Sequence, residues 1–104
     1  MKHNKIHINE KGDCYKLERF YFQFSHPTAR AVCIAGAFND WQPDAEPMYS
    51  LGQGYWLKET ALMPGSYEYC LVVDGQWMPD PLAKQTAPNP FGGSNSVLQV
   101  AGSP

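Results

Sequence analysis

From Phe20 onward the chain reads as a series of short runs in which apolar and polar residues alternate, each stopped by Gly, Pro or an Asp-Gly pair. Period-two alternation gives an extended strand one face for a core and one for solvent, so it specifies strands and argues against helices. The clearest run is Phe20-Tyr21-Phe22-Gln23-Phe24-Ser25, with three Phe on one face, ended by His26-Pro27. A second, from Arg30 to Ala35, carries Val32 and Ile34 on one face and is closed by Gly36. Pro47 to Leu51 is a shorter candidate that turns through Gly52-Gln53-Gly54 into a run from Tyr55 to Leu62. Pro64-Gly65 turns the chain into the longest run, Ser66 to Val73. Asp74-Gly75 then signals a two-residue hairpin, because a type I′ turn needs positive φ at both central positions. Gln76-Trp77-Met78 starts back, and Ser96 to Val100 supplies the last strand. Lys5 to Asn9 and Cys14 to Glu18 are candidates for an extra N-terminal hairpin.

A length of 104 residues suits one domain, and 13% aromatic against 17% charged residues describes a chain with a core to bury. Nine Gly and nine Pro follow no collagen period and serve as punctuation. Six or seven short strands with frequent turns predict an all-β fold, a β-sandwich. Phe22 and Phe24 would line one inner face, and Tyr67, Tyr69 and Leu71 the other. The expected division is an arm or extra hairpin over 1–18, the sandwich over 19–101 and a tail over 102–104. Two connections, 36–47 and 79–95, carry no strand signal; the second, with four Pro and two Gly, is expected to form a shaped surface strap.

A net charge of −2 offers no basic face for nucleic acid or an anionic membrane. The charge is uneven, +3 up to Arg30 and −5 beyond it, which describes a mildly basic N-terminal arm. No stretch approaches 18 apolar residues and the N-terminus lacks a hydrophobic signal core, so a cytoplasmic location is expected. Cys14, Cys33 and Cys70 are widely spaced, with no CxxC pair, and read as inert thiols. His3 and His7 are four apart on an extended arm and His26 precedes a proline. All three read as surface residues, and no four-ligand spacing implies a metal or other cofactor.

The tryptophans divide into two kinds. Trp56 lies within a strand beside Tyr55 and Leu57 and reads as core. Trp41 sits in the loop Gly36-Ala37-Phe38-Asn39-Asp40-Trp41-Gln42-Pro43, and Trp77 follows the Asp74-Gly75-Gln76 turn. A Trp among polar turn formers either folds back to cap the sandwich or awaits a ligand.

The ordered set Gly-x-Phe-Asn-x-Trp (36–41), Gly-x-Tyr-x-Tyr (65–69), Val-Asp-Gly-x-Trp (73–77), Asp80-Pro81 and Asn-x-Val-Leu-x-Val (95–100) resembles the glycogen-binding domain of AMP-activated protein kinase β subunits. That domain belongs to carbohydrate-binding module family 48, which also includes N-terminal modules of isoamylases and glycogen branching enzymes. The resemblance runs from about Phe20 to Ala101 and extends to short stand-alone members without an enzyme domain. It implies an immunoglobulin-like, early-set β-sandwich that binds an α-1,4-glucan between two Trp, which fall on Trp41 and Trp77. The family's Leu that buttresses the sugar curve falls on Phe91, and its sugar-bonding Asn falls on Asn95. Two positions depart: Cys70 stands where the kinase subunit has a glucose-bonding Lys, and Gly93 where it has a Thr. Losing the Lys removes three donors.

The chemistry fits on its own terms. A pyranose has apolar C–H faces and a rim of hydroxyls, so flat indoles and a side-chain amide that both donates and accepts suit it. Glycoside hydrolysis instead needs two carboxylates across a cleft, whereas Asp40, Asp44, Asp74 and Asp80 each have a turn role to fill. A non-catalytic binder of glycogen, starch or maltodextrin is the expected function. The alternative is a docking or regulatory module, with a glycogen-metabolising enzyme as its partner and both loop tryptophans buried against protein.

Overall fold

The computed structural model describes residues 6–8 and 14–101, with side chains from residue 17. The order of elements is β1 (Ile6–Ile8), β2 (Cys14–Lys16), β3 (Glu18–Ser25), β4 (Val32–Gly36), β5 (Tyr49–Gly52), β6 (Tyr55–Leu62), β7 (Gly65–Val73), β8 (Gln76–Met78), β9 (Gln85–Pro88) and β10 (Ser94–Val100). β1 and β2 pair antiparallel in a two-stranded sheet of their own. The rest form an antiparallel β-sandwich, as the alternation predicted. One sheet runs β3-β6-β5; the other runs β4-β7-β10-β9, with β8 also on β7.

The predicted inner faces meet in the core. Phe22, Phe24, Trp56 and Leu62 from the first sheet pack with Ile34, Tyr69, Leu71, Val73 and Leu98 from the second. Phe22 stands edge-on to Tyr69 at a centroid separation of 5.0 Å, the favoured arrangement of two ring quadrupoles. Trp56 is 8% exposed and belongs to this core. Tyr67, predicted for the same face, is half-buried at its margin, its hydroxyl donating to the Met63 carbonyl at 2.6 Å.

Three local readings change. The strap is not structureless: it contains β9, which pairs with β10 over four residues. This strand was hidden because Pro88 lies in it, and proline is tolerated only where the missing N–H faces no partner, as at the sheet edge that β9 occupies. Gly36 is the last residue of β4 rather than the stop beyond it. His26 is half-buried, its Nδ1 accepting from the Thr28 N–H at 3.1 Å and its ring 6.0 Å from that of Phe24. His3 and the side chains of His7 and Cys14 lie outside the described residues.

The hairpin turn is tied back to the sheet. Asp74 Oδ1 accepts from the backbone N–H groups of Ala31 at 2.8 Å and Arg30 at 2.9 Å. These two bonds, Ala31 first, hold its carboxyl below the usual carboxylate value.

β7 has an unusual edge. β4 pairs with residues 69–73 on one side, while the other side is shared end to end, β10 taking 65–69 and β8 taking 71–73. Where the two meet, the chain leaves β8 and Asp80 turns inward, 7% exposed. Its Oδ2 accepts from the Tyr69 hydroxyl at 2.6 Å and its Oδ1 from the Leu82 N–H at 2.9 Å. Its own N–H donates to Ser96 Oγ at 2.7 Å. Burial and the carboxylate keep the Tyr69 phenol protonated far above its ordinary range. Tyr69→Phe removes a charge-assisted bond to a buried carboxylate and should destabilise the domain by about 1.5–3 kcal/mol in urea unfolding. A change under about 0.5 kcal/mol would mean that this bond adds little beyond solvation.

Candidate functional site

The loop after β4 is built by its own sequence. A Cβ at Gly36 would lie 2.7 Å from Tyr69 Cβ and 2.8 Å from the Glu68 carbonyl oxygen, so only glycine lets the strands close there. Asn39 brackets the turn: its Oδ1 accepts from the Gly36 N–H at 3.0 Å and its Nδ2 donates to the Ile34 carbonyl at 2.9 Å. Phe38 packs against the core, with ring centroids 6.1 Å from Phe22 and Tyr67. The Trp41 N–H donates to the Gly36 carbonyl at 2.9 Å. Asp40 and Trp41 both adopt left-handed backbone, at φ 56° and 57°. A bulky residue there costs about 1–2 kcal/mol, and such strain clusters at functional positions. Trp41 is half-buried.

Trp77 lies on β8, paired with Val72, and is 50% exposed. Strand alternation puts it with Val72 and Cys70 on the face of β7 opposite Tyr69 and Leu71, the outer face of the sandwich. Phe91 stands at the tip of the β9–β10 turn, 93% exposed. Asn89 shapes that turn, its Oδ1 accepting from the N–H groups of Phe91 at 2.9 Å and Gly93 at 3.0 Å. A Cβ at Gly93 would lie 3.3 Å from Asn89 Nδ2, so a threonine at this position would press on the amide that closes the turn.

Asn95 is half-buried and already engaged. Its Oδ1 accepts from Cys70 Sγ at 3.3 Å and from Asn89 Nδ2 at 3.4 Å, and its Nδ2 donates to Glu68 Oε1 at 3.2 Å. The expectation that Asn95 both donates to and accepts from a ligand is therefore narrowed: one amide hydrogen is left over. Cys70 is buried, and burial raises its thiol above the ordinary value, which keeps the S–H available as donor. Cys33 is half-buried with its thiol also raised, by burial first and then by Asp44.

Two residues at this place escaped the sequence reading. Glu68 was available from alternation, since it separates Tyr67 and Tyr69 and must face outward. Asn89 stood in an Asn-Pro pair that read as punctuation alone.

β8, which carries Trp77, and β10, which carries Asn95, pair along the same edge of β7, and the β9–β10 turn carries Phe91. Trp41 is anchored by its backbone to the end of β4, beside residues 68 and 69 of β7. The result is an open surface with exposed aromatic rings and amide and carboxylate groups. The carboxylate of Asp74 is occupied with two backbone N–H groups, and that of Asp80 with the Leu82 N–H and the Tyr69 hydroxyl. A cavity of about 360 Å³ opens elsewhere, between β3 and the strap, lined by Phe20, Tyr69, Asp80, Leu82, Lys84 and Gln85 among others. Among the described residues no group of three or more His, Cys, Asp or Glu could hold a metal ion.

Residues 19–104 match the family described as the glycogen recognition site of AMP-activated protein kinase. The chain belongs to this family. It is 33% identical over 85 residues to protein FLOURY ENDOSPERM 6, chloroplastic, of Oryza sativa subsp. japonica, covering 82% of this chain and 15% of that protein. It is 29% identical over 77 residues to the amyloplastic phosphoglucan phosphatase DSP4 of Castanea sativa, covering 74% and 20%. It is 31% identical over 101 residues to the 1,4-alpha-glucan branching enzyme GlgB of Lactobacillus acidophilus, covering 91% and 15%. The chain thus spans a fifth or less of the length of these relatives, and what it shares with the family is a recognition domain, which is non-catalytic.

The left-handed backbone of this recognition domain at residue 41 makes a direct prediction. Trp41→Gly and Trp41→Ala both lose the indole, but only glycine is unstrained there, so the Gly variant should be more stable by about 1 kcal/mol in chemical denaturation. An Ala variant as stable as the Gly variant would contradict the strain.

Proposed function

We propose that this domain binds α-1,4-linked glucan, as glycogen, starch or maltodextrin, through Trp41, Trp77, Phe91 and Asn95, and does no chemistry on it. What supports the reading is the exposure of Trp77 and Phe91, together with a hydrogen-bonded cluster of Asn95, Glu68 and Asn89. Large apolar side chains left in water around polar groups mark a place where something binds, and this mixture suits a sugar. Membership of a glycogen-recognition family points the same way, as do the glucan-related names of two relatives.

Each contact has a distinct part. The indole of Trp77 offers a flat face to the C–H groups of a glucose ring, and its quadrupole attracts their positive edge. Phe91, raised on its turn, fits against the inside of a curved chain. Asn95 donates its remaining amide hydrogen to a hydroxyl, and Glu68, already accepting from Asn95, can accept another. Trp41 supplies the second platform from a loop whose strained backbone fixes its position.

The site is open, and each sugar hydrogen bond replaces one to water, so it nets about 0.5–1.5 kcal/mol. The expected Kd for a short maltodextrin is about 10 µM to 1 mM. Burial of Cys70, where the family's lysine would donate, lowers the number of contacts. That burial also favours the second reading, a docking module, in which both indoles pack against a partner protein such as a glycogen-metabolising enzyme.

Glycogen co-sedimentation separates the two. Trp77→Ala and Trp41→Ala should each weaken it markedly, with Trp77→Ala changing unfolding stability by no more than about 1 kcal/mol. Wild-type protein that is folded yet neither co-sediments nor binds maltoheptaose at millimolar sugar would refute glucan binding.

A further inference from the structure

The opposite side of the sandwich carries a second aromatic surface that the proposed function leaves unused. On the outer face of the β3-β6-β5 sheet, Tyr21 is 47% and Tyr49 65% exposed. In register, Tyr21 pairs with Glu59, while Gln23 and Tyr49 pair with Leu57 from either side. The two tyrosines therefore sit on the strands flanking β6, with Leu57, Glu59 and Ala61 between them. Strand spacing of about 4.8 Å places their backbones roughly 10 Å apart. Together with Lys58 these residues line a shallow hollow of about 520 Å³.

The walls of this hollow are held in place. Lys58 Nζ lies 5.6 Å from the Tyr49 ring centroid and 3.4 Å from Glu46 Oε2, so the ammonium fixes one face of the ring. Arg19 Nε lies 3.5 Å from Glu59 Oε1 across the rim. The hollow offers two phenol rings, an apolar floor of Leu57 and Ala61, and a carboxylate and guanidinium already paired. Cores of protein interfaces are depleted in Glu and Lys. Flat rings with polar tips around a small apolar floor, rimmed by donors and acceptors, instead match a pyranose, whose faces are apolar and whose edge is hydroxyl. The paired charges leave no net positive field for an anion.

We infer that this hollow is a second α-glucan site, so that one domain holds two glucan chains on opposite faces. The sugar class rests on the function proposed above. The two sheets lie about 10 Å apart with their outer faces turned away from each other, so a chain laid straight along one face does not reach the other. Two weak sites on one rigid body would tie neighbouring branches together, and a branched polymer supplies the high local concentration that such sites need.

The test is a maltoheptaose titration followed by calorimetry and by NMR shifts, together with turbidity of amylopectin solutions. It uses wild type, Trp77→Ala and the double variant Tyr21→Ala/Tyr49→Ala, each checked for its thermal midpoint. Tyr49→Glu, on an exposed edge-strand residue, replaces the double variant if that one fails to fold. Wild type should bind two oligosaccharides per domain and raise turbidity. The tyrosine variant should keep one site and glycogen co-sedimentation but lose turbidity. Trp77→Ala should keep shifts confined to residues around Tyr21 and Tyr49. A single site in wild type, untouched in the tyrosine variant, overturns the inference and leaves the proposed function standing. Glucan-independent self-association that depends on Tyr49 also overturns it, because the face would then be a protein interface. Absence of any glucan binding by wild type removes the function and the inference together.

Discussion

A buried carboxylate governs how this sandwich presents its outer face. Asp80 accepts from Tyr69 on β7 while its N–H donates to Ser96 on β10, and it sits where β8 leaves the sheet edge that β10 takes up. An uncompensated charge at that depth would be costly, so the two strands and the departing chain are held in one geometry. Trp77 is three residues before Asp80, and the strap that carries β9 and the Phe91 turn begins just after it. One hydrogen-bonded group thus fixes where the segment that carries Trp77 leaves the sheet and where the strap that carries Phe91 sets out.

The loop that carries Trp41 depends on a different constraint. Gly36 lets β4 and β7 approach so closely that a Cβ would collide with Tyr69, and Asn39 closes the turn that follows. Trp41, in left-handed backbone, is then tied back by its own backbone N–H to the Gly36 carbonyl. Rigid positioning of this kind lowers the ordering cost of binding, which matters most where each contact is weak. The domain combines an apolar core, fixed by aromatic edges, with a polar surface network that leaves little free side-chain capacity. Asn95 shows the consequence, since three of its four hydrogen-bonding positions are already filled.

Much of this was legible in the sequence because alternation reports directly on burial. Phe22, Phe24, Tyr69 and Leu71 lie on the inner faces that period two assigned to them, and Trp56 is core. The β9 strand was not legible, because Pro88 masks an edge strand paired with β10. At the candidate site, types and positions could be read from motif order, but the state of each group could not. Cys70 differs from the family's lysine by name alone in the sequence. Only its burial and its bond to Asn95 reveal a donor turned from ligand to neighbour. Glu68 follows from alternation but becomes meaningful only through Asn95, on a different strand far along the chain.

Trp41 and Trp77, and not Trp56, are the indoles proposed to contact α-glucan. The most direct measurement follows the three indole N–H resonances during titration with maltoheptaose. Saturable shifts are expected for Trp41 and Trp77, with Trp56, buried between the sheets, unmoved. Saturation of glucan binding with the Trp41 and Trp77 indole signals unchanged would contradict it.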